Sequence, residues 1–447
     1  MKSRLVLLAV GCLLSAASGQ WLETTVSLTD STGGVRFPKA LAYDRASDRA
    51  YVCGDIGNCV AVIDGATNQR LGLIPVPSGG SDLLCNPESR KLYHADFYNN
   101  SVTVIDCATN EVLATVATGS APRMLCLEPG ANKVYCSCSD GQVAVIDGQS
   151  DSLLAQIPVG MLPSALCHSP YYGRIYCANS FGGTLSVIDC SGDSVVATVP
   201  VGECPIGLCY ARSNNSVYCA CIDSVTVIDG NSNVVVARVA AGNLPFALCY
   251  VGHEAAVYCA NMSDSTVSVI DCVTNQVIAT ILTGLGASAL CLDPAHNKVY
   301  CGDYDTDSVS VIDCGTNQVI QTLPAGDGPG AFVLDPTWDR VYVANDRDST
   351  VTVYRDTSVP GVADTRALAE AASNAPTVFR NVLALPHTGS AVHYSLFDRA
   401  GRSVMSLRPG ANDVSRLAPG VYYLMEQSAY GGQRPVRTPL RKLVMAR

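Results

Sequence analysis

Apolar and polar positions alternate along this chain in short runs of five to seven residues, and the runs come in fours. In one stretch the alternation predicts strands over 123–127, 134–138, 142–147 and 153–159. Turn chemistry separates them: Glu128-Pro-Gly-Ala-Asn, then Ser139-Asp-Gly, then Asp147-Gly-Gln-Ser-Asp. A V-x-V-I-D run recurs, ending at Asp64, Asp106, Asp147, Asp189, Asp229, Asp271 and Asp313. An eighth, degenerate copy places Arg355 in the Asp position. A second anchor drifts with the first: Tyr51, Tyr93, Tyr135, Tyr176, Tyr218, Tyr258, Tyr300 and Tyr342. No helical 3.6-residue period crosses the array. Four strands per repeat of about 42 residues is the pattern of a β-propeller blade, not of a helical solenoid.

The last copy stops after its third strand at Arg355, and residues 22–28 supply a spare strand at the other end. Pairing that segment into the last blade predicts a closed ring with no incomplete blade, which removes an unpaired edge. The fold expected is therefore all-β, an eight-bladed propeller closed by its N-terminal strand.

The repeat wording, in "LDPAHNKVYCGD" (292–303), "SVSVIDCGTNQVIQTLPAG" (308–326) and "RVYVAND" (340–346), resembles the YVTN-type propeller repeat over about residues 22–355. That resemblance implies a propeller, commonly seven-bladed, and little about activity, because one fold carries many functions. Residues 377–447 form a separate β unit whose Asp398, Gly401, Arg402, Gly420, Val421, Tyr422, Lys442 and Arg447 resemble the pattern of a type IX secretion sorting domain. The resemblance implies engagement of the secretion machinery and removal of the tail at the cell surface. Residues 356–376, rich in Ala, Ser and Thr with two prolines, read as a linker.

Charge and composition narrow the function classes. The formal net charge is −10, which argues against nucleic acid as a partner. Residues 1–19 read as a signal peptide: Lys2 and Arg4, an apolar 5–14 run, then Ala17 and Gly19 before cleavage ahead of Gln20. A lipoprotein signal at Cys12 fits less well, because the apolar run continues past it. No later stretch has the length and apolarity of a membrane helix. Export to the cell surface, as a monomer, is expected. The mature propeller then spans 20–355.

Chemistry is sparse. No nucleophile elbow, H-E-x-x-H or glycine-rich phosphate loop occurs, so neither catalysis nor a cofactor is expected. The seven Asp residues each precede a Thr-, Asn- or Ser-rich turn, where an Asp side chain caps backbone N–H groups. Asp303, Asp305 and Asp307 have the 1,3,5 spacing of a calcium loop but lack its glycine and its bidentate glutamate. Twenty-one cysteines are present. Five copies carry a ten-residue pair: Cys126–Cys136, Cys167–Cys177, Cys209–Cys219, Cys249–Cys259 and Cys291–Cys301. Two readings stand: disulfides across a hairpin in an exported protein, or small buried apolar residues. The Cys136/Cys138 and Cys219/Cys221 pairs lack nearby His, which argues against zinc.

Loops joining each fourth strand to the next first strand point to the channel mouth, and most are small and apolar. Their exceptions, Arg36, Arg123, Glu203, Phe246 and Asp327, are the candidate contacts for an unknown protein, glycan or small-molecule ligand. A non-catalytic binding or scaffold propeller is the expected function. An extracellular enzyme is the alternative, to be recognised by charged groups converging at one mouth.

Overall fold

A computed structural model describes residues 19–31 and 33–357, together with the strands between Thr377 and Met445. Within Gly19–Thr357 the chain forms eight four-stranded antiparallel sheets, one per repeat. They are numbered here as blades 1 to 8 in chain order, over 36–75, 80–117, 122–158, 163–200, 207–239, 245–282, 287–324 and 329–357. Each blade runs from its innermost to its outermost strand. In blade 3 these are Pro122–Glu128, Lys133–Cys138, Gln142–Asp147 and Leu153–Pro158. Innermost strands of successive blades pack together, and that of blade 8 packs on that of blade 1.

Closure follows the expectation. Gly19–Ser27 pairs antiparallel with Thr350–Thr357, placing Val26 opposite Val351 and Leu22 opposite Tyr354. The N-terminal strand thus completes blade 8, and the count is eight rather than seven.

The core is divided. Each interface between neighbouring blades holds its own apolar cluster, such as Tyr135, Val145, Ile157, Cys177 and Ile188 between blades 3 and 4. The anchor tyrosines are fully buried, and their hydroxyls leave their own blade. Tyr135 donates to Asp193 at 2.7 Å, Tyr176 to Asn233 at 2.9 Å and Tyr218 to Asn275 at 2.8 Å. Those acceptors sit at positive φ in the turn between the third and fourth strands of the next blade. Asn and Asp tolerate that conformation, which accounts for their recurrence after the V-x-V-I-D run. The Asp ending each run caps its turn as expected: Asp106 accepts the N–H groups of Ala108 and Thr109, and Asp147 those of Gln149 and Ser150. These N–H bonds hold both carboxyls below the usual range.

The hairpin disulfides are corrected by the register. Cys126 lies opposite Tyr135, whereas Cys136 lies opposite Leu125. The same one-residue offset separates Cys167 from Cys177, Cys209 from Cys219, Cys249 from Cys259 and Cys291 from Cys301. Side chains one position out of register point to opposite faces of a sheet. Cys126 accordingly packs between blades 3 and 4, and Cys136 between blades 2 and 3. Every described cysteine is a free thiol. In blade 2 the position matching Cys126 is Leu84, and Cys85 lies one residue further, opposite Leu92.

The tail forms its own unit of short strands. Gly420, Val421 and Tyr422 lie on Gly420–Ser428, antiparallel to Arg441–Met445, which carries Lys442. Asp398, Gly401, Arg402 and Arg447 lie outside the described residues.

Candidate binding cleft on the loop face

At one end of every blade two chain segments meet: the connection entering the innermost strand and the hairpin between the second and third strands. Backbone bonds tie them together, as in Phe181 N–H to Met161 at 3.3 Å, Ile222 to Glu203 at 3.0 Å and Arg347 to Asp327 at 3.0 Å. These tips form the loop face of the ring.

Under the tips of blades 2, 4 and 6 lies a repeated buried pair, one and three residues beyond the anchor Tyr. The two are hydrogen-bonded: Cys177 donates to Asn179 at 3.8 Å, Cys259 donates to Asn261 at 3.4 Å, and His94 lies 2.9 Å from Asp96. Asn179 also takes the Gly160 N–H at 3.1 Å, and its amide donates to Thr184 and Ser186. The entering connection needs glycine there, since a Cβ on Gly160 would lie 2.5 Å from the Asn179 carboxamide carbon.

Blade 5 breaks this pattern. Thirteen residues separate the anchor Tyr from the capping Asp position in six blades, but twelve in blade 3 and eleven, Tyr218 to Asp229, in blade 5. The shortened blade-5 hairpin turns at once, with Cys221 N–H donating to Ser224 at 2.8 Å. A cleft of about 730 Å³ opens between blades 4 and 5, lined by Leu162, Phe181, Val201, Glu203, Cys204 and Arg238. Phe181 on its wall is 77% exposed, and Met161, next to the lining residue Leu162, is 69% exposed. Arg238 is fixed inside it by donating to the Val201 carbonyl and to Thr226.

Blades 7, 8 and 1 carry charge at the same face. Lys39 lies 2.9 Å from Asp346 and 3.6 Å from Asp55, and Tyr304 donates to Asp346 at 2.7 Å. Arg347 stacks 4.3 Å from the Tyr304 ring and pairs with Asp305 at 2.9 Å and Asp327 at 3.8 Å. These groups answer one another, and the Lys39 ammonium is stabilised by Asp346 against its own partial burial.

The five expected contacts do not converge. Glu203 lines the cleft, and Phe246 stands exposed at the entry to blade 6. Arg123 donates to Ser139 at 2.8 Å and lies over the Phe97 ring, while Arg36 is exposed on blade 1 and Asp327 belongs to the charged sector. The expected calcium ligands separate as well. Asp303 is buried and accepts from Ser310, Asp305 pairs with Arg347, and Asp307 accepts the Gly328 N–H. Repeat position decides this, because Asp303 occupies the buried acceptor site that Asn179 fills in blade 4.

Among the described residues one group of metal-type ligands lies together: Asp293, His296 and Asp356. Asp356 takes Lys298 at 2.9 Å and Tyr300 at 2.8 Å, the partners that Asp193 takes as Lys133 and Tyr135. It replaces the turn that blade 8 lacks, so its role is closure. Sequence reading missed Arg238, Met161, Phe181 and Asp82. Asp82 stands on the innermost strand of blade 2, accepts the N–H of Leu125 and of Leu83, and is pushed by burial to about 7. Repeat alignment shows it, since the matching residues are Ala40, Met124, Ala165, Gly207, Ala247, Ala289 and Ala331.

No family model matches the chain, and no curated protein matches it either. Solved structures do. The computationally designed Ika8 protein aligns with a TM-score of 0.64 at 20% identity, over 75% of this chain and 100% of that one. Saccharomyces cerevisiae Sqt1 aligns at 0.64 and 14%, over 77% and 100%. Kuenenia stuttgartiensis hydrazine synthase aligns at 0.53 and 17%, over 73% and 97%. Such distances carry the fold and no function.

Proposed function

We propose that this chain is an exported, non-catalytic binding propeller of the YVTN type, with the cleft between blades 4 and 5 as its ligand site. The observation that carries the reading is the loss of two hairpin residues in blade 5, beside which a concave, largely apolar site opens. Such a cavity with a few fixed polar groups is the usual form of a small-ligand site. Phe181 and Met161 supply apolar area, and Arg238 and Glu203 supply one charge of each sign. The tail acts as a sorting domain in this reading, and the N-terminal 19 residues as the export signal. A glycan and peptide array probed with full-length protein and with Phe181→Ala tests the site. Ligands of the wild type should lose at least about tenfold in affinity, roughly 1.4 kcal/mol. Ligands held equally by Phe181→Ala and lost in Lys39→Ala would move the site to the charged sector and revive the enzyme reading.

A further inference from the structure

Two blades carry cysteine where the buried acceptor belongs: Cys138 in blade 3 and Cys221 in blade 5. Five others hold Asn or Asp there: Asp96, Asn179, Asn261, Asp303 and Asn345. Blades 3 and 5 are also the two with shortened hairpins, so sulfur at the acceptor position and a reduced cover occur together. In both blades the donor position is sulfur as well, Cys136 and Cys219, and in blade 5 the two sulfurs touch. Cys219 stands on the strand Ser216–Ala220 and Cys221 directly follows that strand, with their Sγ atoms 3.9 Å apart and both buried.

We propose that Cys219 and Cys221 form a binding site for a monovalent thiophilic cation of the Cu(I) class, reached from the cleft between blades 4 and 5. Four observations support this. Soft thiolate ligands select Cu(I), and two neighbouring sulfurs suit an ion that needs only two ligands. A two-coordinate ion spans about twice a metal–sulfur bond of roughly 2.3 Å, so the pair opens by less than about 1 Å to accept it. The Cys221 sulfur has polar company: the Thr226 hydroxyl lies 3.9 Å away, and the Arg238 guanidinium reaches the same space. The cover is thin, because Gly202 lines the cleft and a Cβ placed on it would lie 3.1 Å from the Cys221 sulfur. Cys204, the exposed thiol on the cleft wall, stands two residues from that glycine.

The two sulfurs lie within hydrogen-bond distance of each other. A monovalent ion displaces the shared thiol proton and a second one, giving a bis-thiolate complex of net charge −1. The Arg238 guanidinium is its counter-charge. Binding therefore releases protons and weakens as pH falls.

The test is an anaerobic titration of the reduced, full-length protein with Cu(I) buffered by a chromogenic competing chelator. Bound copper and near-ultraviolet sulfur-to-metal absorption are the readouts. Cys221→Asn installs the acceptor that blades 4, 6 and 8 already use, so it preserves the fold, checked by its melt. It should lose about one equivalent of tightly held Cu(I) and the matching absorption. Cys177→Ser, which removes a thiol whose acceptor is Asn179, should lose none. Unchanged stoichiometry and absorption in a folded Cys221→Asn protein would overturn the assignment, as would an equal loss in Cys177→Ser. Phe181→Ala, which tests the organic-ligand reading, leaves the two sulfurs in place and separates the two proposals.

Discussion

The sectors of the loop face over blades 4–5 and over blades 7, 8 and 1 are built from one repeat and have become opposites. In the second, hairpins of full length bring Lys39, Asp346, Tyr304, Arg347 and Asp305 into mutual contact, and the acceptors beneath are Asp303 and Asn345, tied to Ser310 and Thr352. In the first, the blade-5 hairpin is two residues short, Phe181 and Met161 are exposed, and the acceptors beneath are Asn179 in blade 4 and the Cys221 sulfur in blade 5. A blade's strands are fixed by neighbours on both faces, whereas its hairpin tip is tied by backbone bonds to the adjoining connection and meets neighbouring tips through side chains. Length changes there alter the surface without disturbing the core.

Restoring the missing length is the strongest way to break the contrast. Inserting Asn-Gly between Ile222 and Asp223 should fill the cleft and reduce ligand affinity by more than about tenfold, with the melting temperature nearly unchanged. Retained affinity in the inserted protein, read by calorimetry, would show that the opening is incidental.

The buried pairs give the next largest effect. In the charged sector a Cβ on Gly326 would come 2.6 Å from Asp348 and press on Asn345, which Thr350 and Thr352 hold in place. Gly326→Ala should cost about 1–3 kcal/mol through overpacking. Gly202→Ala meets its nearest atoms in Cys221 only at 3.1 Å and should cost less than about 1 kcal/mol. Equal denaturation midpoints for the two would mean that the sectors are equally tight.

Surface charge gives a smaller difference. Lys39→Ala removes contacts to Asp346 and Asp55 at a half-exposed site and should cost about 0.5–1 kcal/mol, less at high salt. Glu203→Ala should change stability by no more than about 0.5 kcal/mol. Chemical denaturation at two ionic strengths compares them.

Asp82 belongs to neither sector and sets a pH dependence against which both can be read. Its folded-state pKa near 7 lies above the ordinary carboxylate value, so the native state holds a proton that the unfolded chain has lost. Its contribution is fully present below about pH 4 and is lost as pH rises toward 7. Stability should therefore decline across that window in the wild type, and less in Asp82→Asn. Parallel pH profiles for the two proteins would remove Asp82 from the account.

The blade count, the strand positions and the closing strand were legible in the amino-acid sequence. Each depends on residues repeating within one blade: the alternation of strands, the Asp that caps a turn, and the spare 22–28 run that matches a missing fourth strand. The hairpin shortening was legible too, in the spacing of Tyr218 and Asp229. What only the tertiary structure decided is which faces these residues present and what they meet in the next blade. The cysteine pairs show why. Spacing of ten suggested partners, but a one-residue register difference sends the two thiols to different interfaces. The five loop residues Arg36, Arg123, Glu203, Phe246 and Asp327 share a face and yet lie on five different blades. A local pattern fixes a strand through short-range sterics and hydrogen bonds, whereas a site is a meeting of segments some forty residues apart, and ring geometry alone determines which of them touch.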